Sequence, residues 1–147
     1  MQTEVIETIH GHAMFVNAPY TDSPKLYNAL WEHVKGLKLP EMLFIFQCFD
    51  TPEKFANPTH EYVCLIGTHQ TLAPIEGVKQ HTIQGGNNLT TIHKGAYNKV
   101  GAAYQALSDE VAAKHLKMRG VPFEIYINDP SMVKEEELLT KVCFPIE

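Results

Sequence analysis

The feature that most restricts how this chain can fold is a repeat. Tyr27-Asn28-Ala29-Leu30 recurs as Tyr104-Gln105-Ala106-Leu107, 77 residues on. Phe44-Ile45-Phe46 is matched by Glu124-Ile125-Tyr126 at an offset of 80. Asp50 and Asp129 each open a proline-containing loop, 79 residues apart, and Val63-Cys64 returns as Val142-Cys143 at the same offset. Matches in one order at nearly constant spacing argue for a structural unit used twice. The full chain of 147 residues is long enough to bury a self-sufficient core without disulfides or metal.

Local patterns say what that unit is. The stretch from about Thr3 to Ala18 is extended, rich in Thr and β-branched residues, and Pro19 closes it. Ser23 can cap a helix whose first position suits Pro24; Leu26, Leu30 and Val34 form its stripe and Gly36 ends it. Met42–Phe49 and His60–Thr68 read as strands, with residues 50–58 as a loop. In the second half, Val78–Gln84 and Leu89–His93 flank Gly85-Gly86-Asn87-Asn88, residues that tolerate positive φ and so predict a hairpin. A helix is predicted from about Tyr97 to Leu116, with Val100, Ala103, Tyr104, Leu107 and Val111 at helical spacing. Strands follow at Phe123–Asn128 and Lys141–Ile146, with one helical turn at Glu135–Glu137 between them. The expectation is an α+β fold. One domain over residues 1–147 duplicates a βαββ unit, about 3–68 and 78–146, around a pseudo-two-fold axis. Its sheets are antiparallel, with two main helices and a central ligand cleft at the join.

Composition removes several function classes. Lys plus Arg number 12 against 17 Asp plus Glu, a net charge of −5, and Arg119 is the sole arginine. Such a chain lacks the clustered cations that direct nucleic-acid binding requires. Even the longest apolar runs, Met42–Phe46 among them, are far below the ~20 residues of a membrane helix. The N-terminus has no basic segment before an apolar one, so no secretory signal is read there. Cys48, Cys64 and Cys143 are odd in number, form no CxxC and sit in apolar runs; they are expected to be reduced thiols of a cytoplasmic protein. A homo-oligomer is compatible with the sequence.

Glu124 is the most informative residue. Along Phe123–Asn128, alternate side chains face opposite sides, so Phe123, Ile125 and Ile127 share one face and Glu124, Tyr126 and Asn128 the other. That second face is either solvated or holds a buried acid. Its counterparts in the first half are the aromatic Phe44 and Phe46, which favours burial. A groove of Phe44, Phe46, Tyr126 and Trp31 with the acid at its base would suit a flat cation, with Tyr27 aimed at the edge beside Trp31. A cation ~4 Å from the carboxylate gains about 4 kcal/mol at an effective dielectric near 20. Each aromatic face adds roughly 0.5–2 kcal/mol. Of the eight histidines, His10 and His12 share a strand face, but no third ligand stands at metal-binding spacing, so neither metal nor cofactor is expected. There is no GxSxG, P-loop or GxGxxG motif.

The second half resembles the GyrI-like small-molecule-binding domain, the effector-binding domain of AraC-type and MerR-type multidrug regulators. The resemblance rests on His93-Lys-Gly95-Ala-Tyr97-Asn-Lys-Val100, Ala103-Tyr104-Gln-Ala-Leu107, Gly120-Val-Pro-Phe-Glu124-Ile-Tyr126-Ile-Asn-Asp129-Pro130 and Lys141-Val-Cys-Phe-Pro145-Ile146. It implies a duplicated βαββ fold with a ligand cleft and makes Glu124, at the Glu-x-Tyr position, the pocket acid for lipophilic cations. The domain is expected to fill residues 1–147, leaving no room there for a helix-turn-helix. The expectation is therefore a non-catalytic binding module for hydrophobic, cationic small molecules, without a DNA-binding domain. The alternatives are a hydrolase of electrophilic, cyclopropane-bearing compounds with Glu124 as general base, and a gyrase-inhibitor-like toxin antagonist. The second-half helix lacks the tryptophan often seen in the family, which weighs against the hydrolase.

Overall fold

A computed structural model describes residues 1–39, 41–50 and 52–147. The chain divides into two compact units, one of residues 7–84, the other of residues 1–6 together with 85–147. Both repeat one element order. In the first unit, strand β2 (Ile9–Ala18) leads into helix α1 (Ser23–Val34), then strands β3 (Leu43–Cys48) and β4 (His60–Thr68). In the second, β6 (Gly86–Lys94) leads into α2 (Gly101–Ala113), then β7 (Phe123–Tyr126) and β8 (Leu139–Pro145). This fits the duplication read from the sequence.

Each unit adds one outer strand. β5 (Lys79–Ile83) pairs antiparallel with β2, which pairs with β4, which pairs with β3. β1 (Gln2–Ile6) pairs antiparallel with β6, which pairs with β8, which pairs with β7. The strand pairing departs from the sequence expectation in two places. The extended N-terminal stretch is two strands broken at Glu7-Thr8, and its first piece joins residues 85–147. The predicted hairpin at residues 85–88 does not form, because β5 pairs with β2 while β6 pairs with β1. Gly86 has another use. At φ +147° it lies under the Arg119 guanidinium, whose Cζ would be 2.8 Å from an added Cβ. Arg119 donates from there to the carbonyls of Ile146 (3.0 Å) and Asn87 (2.9 Å).

Each helix covers one face of its unit's strands. Leu30 and Val34 of α1 bury against Ile66 of β4. Ala103 and Leu107 of α2 bury against Leu89, Val142 and Phe144. The predicted second helix is shortened at both ends: Tyr97–Lys99 forms a 3-10 turn, and the α-helix stops at Ala113. α1 begins one residue before the predicted site, with Asp22 as its N-cap and Pro24 in the first turn. The turn at Glu135–Glu137 forms as expected. Within the predicted loop 50–58, Thr51 lies outside the described residues. The Asp50 carboxylate anchors that loop by accepting from the Glu61 amide (2.9 Å) and pairing with His60 Nδ1 (2.7 Å).

Candidate functional site

β7 is short, and its alternation decides where Glu124 points. In register Glu124 stands opposite Val142 and Tyr126 opposite Thr140. Val142 packs under α2, so Glu124 and Tyr126 occupy the helix-covered face. Glu124 is 6% exposed, which rules out the solvated outer face. Its Oε2 accepts a 2.6 Å hydrogen bond from the hydroxyl of Tyr104 on α2. Among the described residues no Lys, Arg or His forms an ion pair with it. Burial pushes the carboxyl up to about 7, against the opposing pull of the Tyr104 bond. Loss of hydration outweighs one neutral donor, so the acid is half protonated near neutral pH.

Two further tyrosines adjoin the acid. Tyr97, in the 3-10 turn before α2, lies 5.0 Å ring to ring from Tyr126. Burial raises its phenol, reinforced by the charges of Asp129 and Glu124. Gly95, at φ +123°, lets the chain turn from β6 into that segment, and His93 Nε2 lies 2.9 Å from the Ala96 carbonyl. On β8, Thr140 is completely buried on the same face, and its Oγ1 has no hydrogen-bond partner among the described residues.

The other predicted residues assemble within the 7–84 unit. Phe44 stands opposite Ile66, with its ring 6.2 Å from that of Tyr27 and 6.3 Å from that of Trp31. Phe46 is buried, 5.0 Å from Tyr62 and 5.7 Å from Tyr20. Tyr27 donates to the Ile45 carbonyl, so its hydroxyl fastens α1 to β3. Shallow depressions in this unit, one lined by Met14, Leu26 and Val78 and another by Phe15, Phe49 and Tyr62, contain none of the predicted site residues. Among the described residues no group of His, Cys, Asp and Glu could hold a metal ion. The cysteines are free thiols, and burial pushes those of Cys64 and Cys143 up to about 12.

Sequence reasoning placed Glu124 and Tyr126 together but missed Tyr104 as the acid's partner and Thr140 as an unpaired hydroxyl. The Tyr27/Tyr104 repeat carried the first signal: both are core-facing helical tyrosines whose polar tip must meet a strand. Nothing in the sequence marks Thr140 beyond a polar residue at an inward position of the last strand.

The chain superposes on the C-terminal domain of EcmrR with a TM-score of 0.83 at 18% identity, covering 99% of this chain and 96% of that one. In the EcmrR–DNA complex it spans 56% of the EcmrR chain (TM-score 0.82, 18% identity, 99% of this chain). A Listeria innocua hydrolase gives 0.65 at 12% identity, covering 99% and 91%. SAV2435 bound to tetraphenylphosphonium gives 0.57 at 13% identity, covering 99% and 93%. No curated protein sequence matches the chain. The family model of the GyrI-like small-molecule-binding domain matches residues 14–147, across both units and through Glu124, and the chain therefore belongs to the GyrI-like family.

Proposed function

We propose that this GyrI-like domain binds hydrophobic organic cations, with Glu124 as the counter-charge and the tyrosines around it as the apolar and π-rich wall. One observation carries the reading: Glu124 is a buried carboxylate whose described partner is a single neutral hydroxyl. A buried acid left without a cation costs several kcal/mol. A ligand that brings the cation recovers that cost, whereas a neutral ligand of equal shape does not. Tyr126 and Tyr97, whose ring centroids lie 5.0 Å apart in the same unit as the acid, would add the π quadrupole from which a bound cation gains.

Tetraphenylphosphonium, the ligand in the SAV2435 structure, is a suitable probe because it is bulky, apolar and permanently charged. Calorimetric titration at pH 8 is expected to give binding to the wild type. Glu124→Gln is expected to weaken it by about 1.5–3 kcal/mol, the scale of a lost charged contact. A neutral tetraphenyl analogue should bind both proteins alike. Equal losses for the two ligands would assign Glu124 to shape or folding. Below pH 7 the cation must displace a proton, so affinity should fall about tenfold per unit.

A second reading draws on the same carboxyl. An acid that titrates near 7 beside a hydroxyl is suited to act as a general base on water attacking an electrophilic ligand. Incubating the protein with a cyclopropane-bearing electrophile and weighing the products separates the two. Recovery of unchanged ligand supports binding alone, and a hydrolysed product absent with Glu124→Gln supports catalysis.

A further inference from the structure

Thr140 sits in the middle of a sheet row. Its register partners are Tyr126 on β7 and His93 on β6, and the next row on the same face holds Glu124 beside Val142. The residue is 0% exposed, and its Oγ1 has no hydrogen-bond partner among the described residues. Its neighbours are accounted for otherwise: His93 Nε2 meets the Ala96 carbonyl, and the Tyr104 hydroxyl serves Glu124. The backbone at this end of β8 is satisfied as well, since the Leu139 amide donates to Asn128 Oδ1 and the Ile127 amide to the Leu139 carbonyl. The hydroxyl thus does nothing for the fold that the described contacts show. Valine has the same shape, packs as well in a strand and lacks the desolvation cost. A threonine here is explained by a partner that arrives from outside the chain.

We infer that the Thr140 hydroxyl selects among ligands, donating a hydrogen bond to an acceptor carried by the cation that Glu124 holds. The favoured class is an aromatic organic cation with an oxygen acceptor close to its charge. Diagonal neighbours on adjacent antiparallel strands lie roughly 7–8 Å apart, so charge and acceptor fit within one substituted aryl group. This rests on the reading of Glu124 as counter-charge, and Thr140 is a specificity residue within that site.

The test uses two probes, tetraphenylphosphonium and its analogue with an acetyl group on one ring, titrated into the wild type, Thr140→Val and Thr140→Ser. The wild type is expected to prefer the acetyl ligand over the parent. Thr140→Val should lower that preference about tenfold, which is about 1.4 kcal/mol, and Thr140→Ser should keep it. Binding of the parent ion should change little in either variant. A urea melt of Thr140→Val should show stability equal to or above that of the wild type, since an unpaired polar group has gone. If both probes bind and the preference is the same in Thr140→Val, the assignment of Thr140 is wrong while that of Glu124 stands. If the wild type binds neither probe, the cation reading and the assignment built on it both fall. If Thr140→Val unfolds more easily, the hydroxyl is structural and the inference is overturned.

Discussion

Glu124 and His12 are both buried, and burial disfavours the charged form of each, yet they bend stability in opposite directions with pH. Glu124 binds protons more tightly folded than unfolded, its carboxyl rising from 4.5 to about 7. Its contribution is fully present below pH 4.5 and lost as pH rises through 7, a swing of about 3 kcal/mol. Glu124→Gln is therefore expected to be more stable than the wild type by about 2–3 kcal/mol at pH 8, and nearly equal at pH 4.5, in urea melts at both values. His12 is 0% exposed with neither ring nitrogen partnered among the described residues, and burial lowers its pKa from 6.5. The unfolded chain takes up that proton first, so stability held above pH 6.5 is lost as pH falls below it. His12→Leu should flatten the stability profile between pH 7 and pH 5 without a loss at pH 7. Tyr104→Phe removes the hydroxyl that favours the Glu124 carboxylate. It should raise the carboxyl's NMR titration midpoint further and cost about 1–2 kcal/mol above that midpoint. Strand alternation and the repeat were enough to single out Glu124. Its hydroxyl partner was not legible, because which helical side chain reaches which strand depends on helix placement, and local patterns do not set that.

Strands β2 and β4 meet at two facing glycines, Gly11 and Gly67, which are register partners. A Cβ on Gly67 would stand 2.5 Å from the His10 carbonyl oxygen, and one on Gly11 would stand 2.3 Å from Leu65 Cγ. Both alanine variants should be less stable in urea melts, by about 1–3 kcal/mol, the usual cost of overpacking. Gly67→Ala should be the worse, because its obstacle is backbone and cannot rotate away. Most elements could be read before the structure: β4 spans His60–Thr68 as the pattern has it, and α1 is displaced by one residue at its start. The failure at residues 85–88 has a definite physical source. Gly-Gly-Asn-Asn permits positive φ, and turn chemistry says only that a chain can bend, not which strand it bends towards. Pairing is decided by strands distant in sequence, here Ile9 opposite Ile83 and Glu4 opposite Asn88.

At the scale of the whole molecule, the N-terminal strand belongs with the C-terminal half. Glu4 accepts from Lys141 Nζ at 2.7 Å and from the Thr90 hydroxyl at 2.8 Å. Although burial pushes its carboxyl up, bonds from Lys141, Gln2 and Thr90 hold it below the ordinary value. Deleting residues 1–6 should leave the β6 edge open and Lys141 without its acid. Hydrogen exchange is expected to show lost protection within Gly86–Thr90, the stretch that β1 covers, with β2 and β4 retaining theirs. The repeat exposed the duplicated order but not this exchange of outer strands, because a five-residue edge strand carries no signature of its partner. The same exchange has a consequence for the gene. Read in order from residue 1 to residue 147, the message enters one unit, builds the other in full, then returns to the first. A circularly permuted message opening at Gly85 would encode each unit in one uninterrupted stretch. β1 runs in the same direction as β8, so the joint from Glu147 back to Met1 must retrace the length of β1, about 17 Å, which a linker of roughly six to eight residues spans.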